Sequence, residues 1–225
     1  MRKFSNTYML LYALGIAAVA AIVLSVAATS LKSRQEANKR NEQMQMLLAT
    51  IGIPCERTDV AEQYSRYFKQ TLVIPDNEGN QLTLYVYEKE GRNGFVIPTK
   101  GNGLWGPIYA NVALAEDLNT VVGITFSHEG ETPGLGAEIT SDEFCNRFIG
   151  KKILDDNGHV VSIAVVKHAD SDNAHQVDAI SGGTMTSNGV SAMLADGLAR
   201  YQTFIDSCTQ RQTHTSEGKE NHNEQ

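Results

Sequence analysis

The spacing of hydrophobic positions changes several times along this chain. Tyr8–Thr29 is apolar without a break, 22 residues with no charge. As a helix it would run about 33 Å, enough for a hydrocarbon core of ~30 Å. Residues 32–50 start polar and then carry Met44, Leu47, Leu48 and Ile51 at helical spacing, until Gly52 and Pro54 stop the pattern. That predicts a helical stalk docked on the body, since the apolar stretch is too short for several coiled-coil heptads. From about residue 70 the period falls to two. Strands are predicted over Thr71–Ile74, Leu82–Glu88, Gly94–Pro98, Ile108–Leu114, Val121–Ser127 and His159–Val166. Asp76–Gly79 and Asp155–Gly158 read as turns, because Asp, Asn and Gly tolerate positive φ. A helix is predicted over Ser141–Phe148, with Ser141 as N-cap and Phe144 and Phe148 facing inward. A last helix is predicted over Ser187–Ile205, where Val190, Met193, Leu194, Leu198, Tyr201 and Ile205 form one stripe. Residues 209–225 are polar and are expected to be a disordered tail.

These elements predict an α+β protein: a single N-terminal transmembrane helix, then one domain with a mainly antiparallel sheet and flanking helices. The expected boundaries are 1–31 for the anchor, 32–54 for the stalk, 55–208 for the domain and 209–225 for the tail. Two readings compete for the apolar run, a cleaved signal peptide ending near Ala27-Ala28-Thr29 and a buried core helix. Its length favours a retained anchor.

Charge divides along the same line. Residues 1–40 carry a net +5 and the remaining 185 a net -12. An acidic body excludes nucleic acid as a partner, because phosphate binding needs clustered Lys and Arg. Lys32, Arg34, Lys39 and Arg40 follow the apolar run while only Arg2 and Lys3 precede it, so a simple positive-inside count puts the body in the cytoplasm, an inference that large translocated domains often escape. Cys55, Cys145 and Cys208 lie far apart with no CxxC pair, which excludes a zinc ribbon, an iron–sulfur ligand set and a disulfide scaffold. His168-Ala-Asp170-Ser-Asp172-Asn-Ala-His175 lacks the glycine and terminal Glu of a calcium loop and reads as solvated. His128-Glu-Gly-Glu131 is not HExxH, and no GxSxG elbow or P-loop appears, so no metal site is expected and zincin, hydrolase and NTPase readings lack support.

Three glycine-rich stretches remain. Gly101-Asn-Gly103-Leu104-Trp105-Gly106 matches GxGxxG, but Pro107 and an alternating strand follow it instead of a helix, so it reads as a tight turn presenting Leu104 and the only tryptophan. His128–Gly136, ending Glu131-Thr132-Pro133-Gly134-Leu135-Gly136, is a long loop whose amides could face a ligand. Asp178-Ala-Ile-Ser181-Gly182-Gly183-Thr184-Met-Thr186-Ser187 puts hydroxyls and glycines just before the last helix. A helix start favours a bound phosphate, and N-capping by Thr184, Thr186 or Ser187 is the plainer alternative.

The pattern Asp178-x-x-Ser181-Gly182-x-Thr184 resembles the flavinylation motif of the covalent-FMN-binding domain family, with Gly183 where alanine is usual. The stretches Gly101–Tyr109 and His128–Gly136 resemble, in the same order, those of the C-subunit of the sodium-translocating NADH:quinone reductase, and the N-terminal anchor is similar too. The resemblance implies FMN held covalently by a phosphoester at Thr184, attached by a flavin transferase. It implies that Ser181, Gly182 and Gly183 let the backbone approach the phosphate, with Lys167 as a candidate to neutralise it. Glu131, Thr132 and Leu135 would line the flavin, with Leu104 and Trp105 beside it. It further implies an electron-relay protein, partnered by the rest of a membrane complex and by membrane lipid, single-pass in a bacterial inner membrane with its domain on the periplasmic side, against the charge count. Two alternatives stand: the G-subunit of a ferredoxin:NAD oxidoreductase-type electron transport complex, which shares the threonine and the ETPGLG-like loop, and a membrane-anchored binding module without cofactor.

Overall fold

The computed structural model describes residues 6–76 and 78–209. The tail expected from 209 lies, except for Thr209, outside the described residues. The rest divides into two compact units, one before Met44 and one from Met44 on.

The first unit is the leading part of helix α1 (Asn6–Thr50). From Tyr8 to Leu31 its large apolar side chains are exposed all round, which in water would be strongly unfavourable. The helix is long and apolar enough to cross a membrane. The apolar run and residues 32–50, expected as separate anchor and stalk, lie in one continuous helix. Between Gly15 and Gly52 there is neither glycine nor proline, and the polar stretch 32–43 is rich in good helix formers.

The second unit is built on five strands: β1 (Phe68–Pro75), β2 (Gln81–Lys89), β3 (Arg92–Asn102), β4 (Pro107–Leu114) and β5 (Val121–His128). They pair in sequence order, every neighbour antiparallel. The period-two pattern sorts their side chains onto two faces. Ile108, Ala110, Val112 and Leu114 of β4 join the main core under helix α4 (Thr184–Ala199), against Val190, Met193, Leu194 and Leu198. Ala113, Val96 and Tyr87 face the other way, against Leu47, Leu48 and Ile51 at the end of α1. There the Thr50 and Thr125 hydroxyls bond at 2.6 Å. On the α4 face the helix lies hard against β3: a Cβ at Gly189 would strike the carbonyl of Asn102.

Several elements depart from the expected pattern. A short helix α2 (Val60–Tyr67) covers β1 and was not foreseen. The predicted helix Ser141–Phe148 shrinks to α3 (Asp142–Asn146), preceded by a 3-10 turn at Gly136–Thr140. Ser141 is its cap, accepting the Phe144 amide at 3.3 Å, and Phe144 and Phe148 pack around Phe126. The strand expected over His159–Val166 survives only as β6 (Ala164–Val166), because Ser162 takes a left-handed φ of 64° and breaks it. β6 pairs in parallel with β7 (Gln176–Asp178), an element the alternation did not reveal. The last helix begins at Thr184, three residues before the predicted start. It ends at Ala199, and helix resumes over 202–209.

Candidate functional site

Three loops meet at the N-terminal end of α4. The first is the β3–β4 turn. Asn102 pairs with Pro107, and the Gly103 amide closes the turn on the Gly106 carbonyl at 2.8 Å, leaving Leu104 and Trp105 at the tip. The second follows β5 and carries Glu131, Thr132 and Leu135. The third is 179–183, leading into α4. Its approach is fixed from behind: Arg147 donates to the carbonyls of Asp178 and Ala179 at 3.0 and 3.1 Å, and Asp178 accepts the Ala169 amide at 2.8 Å.

Between them lies a shallow concavity of about 200 Å³. Of the residues singled out above, Leu104, Trp105, Glu131, Thr132, Leu135, Gly182, Gly183 and Thr184 all line it. Gly136, Met185 and Thr186 line it as well and were not assigned to it from the sequence. Ser181 and Lys167 are exposed and do not line it, so the concavity has no Lys or Arg among its described lining residues. A larger groove of about 850 Å³ runs along Leu11–Leu24, but it is the bare side of an apolar helix, with Tyr12 as the one polar-tipped side chain among its described lining residues.

The rim is apolar and open: Leu104 is 49% exposed, Trp105 69%, Leu135 44% and Met185 60%. Large side chains so exposed, grouped around one point, mark a surface that receives something. The floor is polar. Gly182 sits at φ 73°, where a side chain would be strained and a Cβ would meet Leu135 at 2.7 Å. Gly183 is the N-cap and brings no side-chain hydrogen bond. Thr184 therefore occupies the first helical position with its side chain exposed, and none of the three hydroxyl candidates serves as the cap. The Gly183 carbonyl accepts from Ser187 at 2.8 Å, and the amides before Ser187 belong to the helix's free end, the group that attracts phosphate.

Glu131 is buried under this floor, 4% exposed. One carboxylate oxygen accepts the Trp105 amide at 2.9 Å and the other accepts the Thr186 hydroxyl at 2.6 Å. Its own amide donates to His128 Nδ1 at 3.3 Å. Burial pushes the carboxyl pKa up, but the bonds from Thr186 and from the Trp105 and Leu104 amides, with His128 nearby, outweigh it. The net effect holds the group below its ordinary value and ionised at neutral pH.

Comparison with known proteins matches these features to one class. The FMN-binding domain family covers residues 103–199, the stretch that holds every lining residue of the concavity. The C-subunit of the Na(+)-translocating NADH-quinone reductase of Vibrio vulnificus is 33% identical over 216 residues, covering 78% of this chain and 84% of that protein. Its counterpart in Neisseria meningitidis is 29% identical and covers 86% of this chain and 89% of its own length. A crystal structure of the corresponding protein from Parabacteroides distasonis superimposes with a TM-score of 0.73 at 34% identity, over 78% of this chain and 96% of that one. The fold is thus that of an FMN-binding domain that follows an apolar N-terminal helix in the sequence. The chain belongs to the C-subunit family of the Na(+)-translocating NADH-quinone reductase.

Proposed function

We propose that Thr184 carries FMN through a phosphoester, and that the chain is the electron-relaying, FMN-bearing component of a membrane complex that oxidises NADH, reduces quinone and translocates sodium. The observation that supports this most is the exposed Thr184 side chain at a helix start, on the floor of a shallow concavity with an apolar rim. At about 200 Å³ the concavity is smaller than the ~300–1,000 Å³ that encloses a drug-sized ligand. A covalent tether suits such a site, because it holds a group that shape alone would release. The residues fit the group chemically. The free helix end and the bare backbone at Gly182 and Gly183 would hold the phosphate, and Leu104, Trp105, Leu135 and Met185 would flank a flat aromatic ring. With no Lys or Arg among the described lining residues, the helix end is what offsets the phosphate charge.

When bound, FMN supplies the electron-transfer chemistry. The protein's side chains supply position, and Glu131 adds a fixed negative charge beneath the site. The partners on this reading are the complex's other subunits, a flavin transferase during maturation, and bilayer lipid around Tyr8–Thr29. The membrane is the bacterial inner membrane, with the domain on its periplasmic face. The test is covalent flavin. The full chain made with its transferase should fluoresce as a flavoprotein in a denaturing gel, and Thr184→Ala should abolish the band. A native complex without flavin on this chain would overturn the proposal, leaving an anchored binding module.

A further inference from the structure

Leu104 and Trp105 stand at the tip of a hairpin and are largely exposed, so apolar packing does little to fix them. What ties that tip to the body is polar. Beyond the bond that closes the turn, the Trp105 amide reaches across to Glu131, and the same carboxylate takes the Thr186 hydroxyl two residues past Thr184. One buried group thus joins segments separated by 26 and 55 residues. Its enclosure is close on two sides. A Cβ at Gly103 would run into one carboxylate oxygen, and a Cβ at Gly136 would run into the other and come within 2.6 Å of the Thr186 hydroxyl. Both carboxylate oxygens are engaged inside the protein. The Glu131 backbone is itself held by His128, so the carboxylate acts as a fixed post.

We propose that Glu131 is a positioning residue. It sets the spacing between the Trp105 turn and the first turn of α4, and so governs how readily Thr184 is modified and how its attached group packs. The second half of this rests on the reading of Thr184 given above; the first half does not.

The experiment uses the full chain in detergent micelles, first made without flavin transferase. Amide exchange is followed at Trp105, with the emission anisotropy of that residue, the protein's sole tryptophan, as a second readout. Glu131→Ala should speed exchange at Trp105 by about tenfold or more, and lower the anisotropy, while β1 and β2 amides keep their protection. Glu131→Gln, which retains an oxygen to accept the Trp105 amide, should restore most of the protection. Co-expressed with the transferase, Glu131→Ala and Thr186→Val should both acquire covalent flavin several-fold more slowly than wild type, with Gly136→Ala behaving alike. Unchanged exchange at Trp105 in Glu131→Ala, or acceleration spread evenly over the sheet, overturns the positioning role. Flavin uptake at the wild-type rate in Glu131→Ala overturns its bearing on Thr184. If the exchange pattern appears as expected but wild type takes up no covalent flavin, the reading of Thr184 fails and the post between turn and helix stands.

Discussion

Helix α4 is tethered near each end to a buried carboxylate, and the two ends are built differently. Just past its C-terminal end, Arg200 grips Asp76 with two nitrogens at 3.0 and 2.8 Å, and Asp76 also accepts the amides of Glu78 and Asn80 and the Asn80 side chain. Charge meets charge there, and the β1–β2 turn is locked to the helix. Near the N-terminal end Glu131 receives only neutral donors, and beyond it the helix start and an apolar rim lie open. At one end the charged side chain meets its opposite charge within the fold. The other keeps free amides and an exposed threonine facing outward. The helix is thus held by an ion pair at one end and by neutral donors at the end it presents.

The largest difference between the two ends is exposed by Thr184→Ala. Covalent flavin should vanish, while stability stays within about 0.5 kcal/mol, since the residue is exposed and is not the cap. Denaturing-gel fluorescence and a thermal melt on one preparation check both halves. Leu194→Ala cuts the core beneath the helix and should cost about 2–5 kcal/mol in chemical denaturation, without selecting either end. Asp76→Asn probes the C-terminal end through pH. The Asn80 side chain and then Arg200, with the turn amides, hold this carboxyl well below the usual range against a smaller opposing effect of burial. The unfolded Asp takes up its proton near pH ~3.9 while the folded one resists, so the contribution is full above that pH and fades as pH falls through the folded value. Denaturation followed from neutral pH downward should show wild type losing its advantage over Asp76→Asn in acid; a constant gap would contradict the assignment. The smallest effect belongs to Ser141→Ala. It removes the cap of α3, the helix leading to Arg147 and its grip on the approach to Thr184, and should cost about 0.5–2 kcal/mol with flavin content unchanged.

What the sequence revealed follows from how local each signal is. Strands β2 to β5 were legible because alternation is a property of neighbouring residues, and the stripe Val190–Ile205 was legible for the same reason. The start of α4 was not. Thr184-Met-Thr-Ser-Asn-Gly is a poor helix sequence, and contacts made far along the chain, Thr186 with Glu131 and Gly189 with Asn102, hold it helical. The break at Ser162 was invisible because a left-handed φ is expected of glycine, not serine. The glycine-rich stretches were recognised as candidates one by one. Their convergence, and Glu131 as the group joining two of them, depend on pairings 26 and 55 residues apart that no periodicity encodes.

The sheet's connectivity also sets an order of assembly. Its five strands follow one another through connections of only two to six residues, so each hairpin closes a short loop and the entropic barrier to pairing is small. Helix α4 begins only at Thr184, long after β5 has been made, and docks on β3 from a distance. Thr184 thus acquires its surroundings last, on a platform already formed, so on the proposed reading flavin attachment waits for α4 to dock.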